Sequence, residues 1–220
     1  MRKISILFFA LFLSFAINAQ DTKPPYWNEV QAFKKMDSAF FPEKGQILFV
    51  GSSSFTMWKD VQDYFPGYKI LNRGFGGSSL TDVIYYAGDV ILKYQPKQIV
   101  IYCGENDFAG NDSLYPAQVA ERFFTLFKII REQYKNVPVA YISMKPSPSR
   151  QHLMAKFNVA NVMIKEFLRK KKRTAFVDVY HAMLKDDGTP MEDIFLEDKL
   201  HMNKKGYAIW QQLVQPHLIK

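Results

Sequence analysis

Four short stretches of this 220-residue chain carry residue types that could together transfer an acyl group. Ser52, Ser53 and Ser54 follow Gly51 and supply hydroxyl nucleophiles, a weak signal alone because serines are common in turns and caps. Residues 72–79 hold Gly74, Gly76 and Gly77, a loop whose backbone could come close to a substrate. Asn106, within Gly104-Glu105-Asn106-Asp107, offers a side-chain amide donor. Asp198 and His201, three residues apart, offer a carboxylate and an imidazole it could orient. Acyl transfer needs a hydroxyl, a base to take its proton, an acid to hold that base, and N–H donors for the developing oxyanion. Each stretch alone also reads as a turn, a cap or a solvated surface. Their joint order is what points to chemistry.

These residues need elements to hold them. Five near-continuously apolar runs, at 46–50, 68–71, 98–103, 138–144 and 174–179, suit strands buried on both faces of a parallel sheet. Between them the apolar spacing turns helical: Val119, Phe123, Phe127, Ile130 and Tyr134, then Phe157, Ala160, Ile164 and Phe167. A leading helix is expected at 26–40. A last one follows Asn203 as N-cap, with Tyr207, Trp210, Leu213 and His217 on one stripe. This alternation predicts an α/β protein, a three-layer α/β/α sandwich. Ligands of such sheets bind beyond the carboxyl ends of the strands, which is where all four stretches fall.

Taken in order, the four blocks resemble those of the SGNH hydrolases, the GDSL-like lipases and acylhydrolases, and most nearly their platelet-activating-factor acetylhydrolase-like branch. The resemblance covers about residues 45–219. It implies a flavodoxin-like fold with a five-stranded parallel sheet and a serine esterase that cleaves carboxylic esters through an acyl-enzyme. By the same resemblance Ser53 is the nucleophile, His201 the base and Asp198 its orienting acid. The N–H groups of Ser53 and Gly77 and the Asn106 amide would form the oxyanion hole. One departure stands out: Ser52 and Ser54 replace the aspartate and leucine of the family's Gly-Asp-Ser-Leu block, which makes Ser52 the second candidate nucleophile. Arg73, Glu105 and Phe108 fall close enough to line the site, although a structural role fits each equally well. Trp58 is read as core. His152 and His181 are set aside as lacking an acid partner at helical spacing.

Composition excludes much else. A single cysteine forbids an intrachain disulfide and any cysteine-cluster metal site, and the four histidines fit no metal-ligand spacing. No phosphate-binding glycine motif is present, so neither cofactor nor metal is expected. Basic clusters at 170–173 and 204–205 lie at helix ends without interleaved aromatics, so no nucleic-acid partner is expected. The start of the chain reads as a signal peptide, residues 1–19. Arg2 and Lys3 precede a mainly apolar run of fourteen residues, 4–17, too short to span a bilayer, and Ala19 is the last residue before cleavage. Without Arg2 and Lys3 the formal charge falls from +8 to +6. Residues 20–220 then form one exported domain, periplasmic or secreted and without a stable membrane anchor. Its expected substrate is a small-molecule or glycan ester with a short acyl group such as acetyl. The alternative is a non-catalytic carbohydrate-binding module on the same fold.

Overall fold

The computed structural model describes residues 23–220. The expected signal segment lies outside the described residues. A five-stranded, wholly parallel sheet runs in the order β2-β1-β3-β4-β5, with β1 Ile47–Gly51, β2 Ile70–Gly74, β3 Gln98–Tyr102, β4 Val139–Ile142 and β5 Thr174–Val177. In chain order the helices are α1 Trp27–Ala39, α2 Ser53–Thr56, α3 Val61–Tyr64, α4 Leu80–Tyr85, α5 Glu105–Gly110, α6 Pro116–Gln133, α7 Met154–Arg169, α8 Val179–Ala182 and α9 Lys204–Val214.

Alternation along each strand divides the core in two. Leu48, Val50, Ile99, Ile101, Val139 and Tyr141 face α1, α4, α6 and α7. Ile47, Phe49, Val100, Tyr102, Ala140 and Ile142 face α2, α3, α8 and α9. Both faces are therefore buried, which is why β1, β3 and β4 read as near-continuous apolar runs. This is the expected three-layer sandwich. Trp58 is fully buried on the second face, stacked on Tyr207 at 4.7 Å.

Two local readings need correction. The second strand begins and ends later than 68–71, and its first three residues are only partly buried. It is an edge strand, so polar residues such as half-buried Asn72 and buried Arg73 belong to it and not to a following loop. The last helix also stops at Val214. His217 sits in an exposed 3-10 turn, off the apolar stripe, because Pro216 supplies no N–H to extend the helix.

Candidate active site

The site is built at the carboxyl edge of the sheet, where β1, β2, β3 and β4 release their chains. Gly51 ends β1 at φ +143, and a Cβ there would lie 1.9 Å from the Tyr102 carbonyl oxygen of β3. Only glycine fits that approach. The next residues, Ser52 to Ser54, start α2. Ser52 and Ser54 are buried and Ser53 is half-buried, so one hydroxyl of the three is turned outward.

Ser53 Oγ lies 3.0 Å from His201 Nε2, across 148 residues of sequence. His201 Nδ1 is 2.6 Å from Asp198 Oδ2. Asp198 Oδ1 accepts the backbone N–H groups of Leu200 and His201, each at 2.9 Å. Lys199, at φ +56, makes the tight turn that lets the carboxylate reach both. Burial acts to raise the Asp198 carboxyl, but the bonds from the His201 ring and the two N–H groups prevail and hold it at about 2. An ionised carboxylate at Nδ1 places the ring proton there, leaving the Nε2 lone pair for the Ser53 hydroxyl.

Donors converge on the same side. The Ser53 N–H lies in the first turn of α2, where no intrahelical acceptor exists. Among the described residues neither it nor the Gly77 N–H meets a backbone acceptor. Asn106 Nδ2 faces Gly77, 3.7 Å from where a Cβ of that residue would stand. Its two hydrogens go to Ser52 Oγ at 2.6 Å and the Ser78 carbonyl at 3.1 Å. Gly104-Glu105-Asn106-Asp107 is a helix start rather than a turn: Gly104 at φ +132 reverses the chain and the other three open α5. Asp107 is structural, accepting from the Leu80 N–H at 2.8 Å and Arg122 at 2.6 Å.

Several residues take roles other than those expected. Arg73 points away from the site, bonding Asp37 at 2.5 Å and Tyr94 at 2.8 Å to pin α1 to the sheet. Phe108 is core. Glu105 is buried against Lys145 and Arg150, two residues that carry no local sequence signal. His181 does have an acid partner: Asp178 stands three residues before it, 2.8 Å from Nδ1 and also capping its N–H. That exposed pair repeats the Asp198–His201 turn, yet no described hydroxyl bonds its other nitrogen. The local motif is thus a capping device, and only the approach of α2 adds a serine hydroxyl to it.

Two spaces border the site. A void of about 10 Å3 touches Ser53, Asn106, Arg150 and Leu200. A polar groove of about 490 Å3 runs from Gly77 and Asn106 past Ser79, Thr81 and Asp82. A larger cavity, about 660 Å3, lies between the carboxyl-terminal parts of α6 and α7, at the opposite edge of the sheet. No group of three or more metal-ligating side chains occurs among the described residues. No described helix is long and apolar enough to cross a membrane.

A serine hydroxyl, an imidazole and a carboxylate in line beside convergent N–H donors, on a five-stranded parallel sheet, are the groups that ester cleavage calls for. The sequence agrees: residues 50–209 match the GDSL-like lipase/acylhydrolase family, and the chain belongs to it as a carboxylic ester hydrolase. Solved structures share the fold at low identity. A candidate platelet activating factor from Streptococcus pneumonia superposes with a TM-score of 0.77 at 18% identity, covering 88% of this chain and 93% of that one. A GDSL-like lipase from Bacteroides thetaiotaomicron VPI-5482 gives 0.73 at 18% identity, covering 85% and 95%. A point mutant of an acetyl-xylooligosaccharide esterase from Geobacillus Stearmophilus gives 0.63 at 14% identity, covering 80% and 96%. Among curated proteins, none matches this sequence.

Proposed function

We propose that this chain is a serine esterase working through a covalent acyl-enzyme, with Ser53 as nucleophile, His201 as general base and Asp198 as orienting acid. The observation that carries the reading is the line from Ser53 Oγ through His201 to Asp198, at 3.0 and 2.6 Å. His201 Nε2 takes the hydroxyl proton as Oγ attacks the ester carbonyl carbon. The oxyanion is held by the N–H groups of Ser53 and Gly77 and by the Asn106 amide. Collapse breaks the bond to the alcohol, which leaves with the proton from the imidazolium. Water then attacks the acyl-enzyme, with His201 again as base, and releases the acid.

Two spaces that border the site support a substrate class. The 10 Å3 void is about the room of one water-sized group, which supports an acyl portion as small as acetyl. The groove lined by Ser79, Thr81 and Asp82 offers hydroxyl and carboxylate partners, which supports a polyhydroxylated alcohol. Export after cleavage behind Ala19 belongs to the same proposal and rests on residues 2–19. The test is labelling with a fluorophosphonate and sequencing of the modified peptide. A single adduct on Ser53, absent from His201→Ala, is expected; an adduct on Ser52 or Ser54, or none, overturns the assignment. Acetyl esters should be turned over faster than octanoyl esters, and the reverse order would remove the small-acyl reading.

A further inference from the structure

Asn106 can serve as an oxyanion donor only if its amide nitrogen, and not its oxygen, faces the reacting serine. The two ends of a side-chain amide are nearly equal in shape, so packing alone does not choose between them. The Ser78 carbonyl, which only accepts, favours the nitrogen on the site side at 3.1 Å, and the far side of the group adds the stronger, charged constraint. Arg150 Nη2 lies 2.7 Å from Asn106 Oδ1. A guanidinium has donors only, so the amide oxygen is the atom that must face it, and Nδ2 is turned toward Ser52 and Gly77.

Arg150 is itself held. Its Nη1 is 3.2 Å from Glu105 Oε2, and Lys145 Nζ reaches the same oxygen at 3.1 Å. The Lys145 backbone N–H adds a bond to Glu105 Oε1 at 3.1 Å. Glu105 and Lys145 are almost fully buried, and the Arg150 side chain is 17% exposed. The turn that carries Arg150 is tied to the base's own loop through the Ser149 N–H, which donates to the Lys199 carbonyl at 3.1 Å. A buried pair is costly to assemble unless its geometry and extra hydrogen bonds are good. This one ends in a planar fork aimed at a single amide oxygen.

We propose that Arg150, anchored by the Glu105–Lys145 pair, is a positioning residue that fixes the orientation of the Asn106 amide for transition-state binding. The inference rests on the reading of Asn106 as an oxyanion donor. Its effect belongs to the chemical step, so it should appear in kcat and not in KM.

The test is a double-mutant cycle on p-nitrophenyl acetate with the full mature chain, using Arg150→Met, Arg150→Lys, Asn106→Ala and Arg150→Met/Asn106→Ala. Arg150→Met should lower kcat by about 10- to 100-fold with KM within about twofold. Arg150→Lys can keep an ion pair with Glu105 but lacks the fork, so it should retain the wild-type melting temperature and still lose most of that kcat. Added guanidinium ion should restore part of the rate to Arg150→Met. In the Asn106→Ala background Arg150→Met should cost nothing further, because the orienting target is gone. A full additional loss in the double variant, or wild-type kcat in Arg150→Lys, overturns the proposal and leaves the triad reading intact. Wild-type kcat in Asn106→Ala would overturn both this proposal and the oxyanion role on which it rests.

Discussion

Replacing Asp198 by asparagine should cost more activity than replacing it by alanine. Asp198 Oδ1 accepts two backbone N–H groups at 2.9 Å, and Oδ2 faces His201 Nδ1 at 2.6 Å. An asparagine there cannot turn its NH2 toward two N–H donors, so its oxygen must keep the Oδ1 position. Its NH2 then faces Nδ1 and can bond only an imidazole with no proton on that nitrogen. In that tautomer Nε2 holds the hydrogen and cannot accept one from Ser53. A ring locked this way loses general-base catalysis, a cost of about 10^4 in kcat. Alanine removes the whole carboxylate, and of its three bonds the one that bears on the imidazole is the charge-assisted bond to Nδ1, about 1.5–3 kcal/mol or about 10- to 150-fold. Because the Asp198 side chain is 46% exposed, water replaces part of that bond and the loss falls toward the lower end. The asparagine variant should therefore be about a thousandfold slower than the alanine variant. Initial rates on p-nitrophenyl acetate at pH 8, with circular dichroism as a folding control, measure both. An asparagine variant as active as the alanine variant would refute the tautomer argument.

Further outcomes follow from the same geometry. Asn106→Ala should lower kcat by about two to three orders of magnitude with little change in KM, read from steady-state kinetics. Gly51→Ala forces a Cβ to 1.9 Å from a β3 carbonyl at a φ of +143. It should cost at least about 3 kcal/mol in urea denaturation, and a smaller loss would mean β1 can slide past β3. The Asp198 carboxyl is depressed to about 2 in the folded state, so its stabilisation is present above the ordinary carboxylate range. That contribution is lost as pH falls through about 2, so the stability difference between the wild type and Asp198→Ala should vanish below that pH. Denaturation curves between pH 1.5 and 6 test this, and a difference that persists at the acid end would contradict it.

Much of this arrangement is legible in the sequence because its parts are local. Strands buried on both faces advertise themselves as apolar runs, and Asn203 announces α9 by capping it. Edge strand β2 is harder, since its polar residues are a consequence of having one neighbour only. Asp198 and His201 are visible as a spaced pair, yet Asp178 and His181 form the same pair with no nucleophile, so spacing alone does not make a base. Ser53 is distinguished from Ser52 and Ser54 by burial, which the run of three serines does not encode. Arg150 is the least legible. It meets Asn106 across 44 residues of sequence, through a turn whose composition gives no hint of a partner.

The amino-terminal helix changes what counts as the working unit of this enzyme. Tyr26 and Glu29 press on the glycine loop: the Tyr26 ring stands 5.6 Å from Phe75, and Glu29 accepts the Gly76 N–H at 2.7 Å. At the other end, Gln98 of β3 is clasped by the His217 carbonyl at 2.6 Å and the Ile219 N–H at 2.9 Å. All four outer contacts lie beyond residues 50–209, the stretch that matches the family. A fragment trimmed to that stretch would keep Ser53, Asp198 and His201 and still lose the brace behind Gly77. The amino-terminal segment is therefore where this chain can alter the stiffness of its glycine loop without touching Ser53, Asp198 or His201.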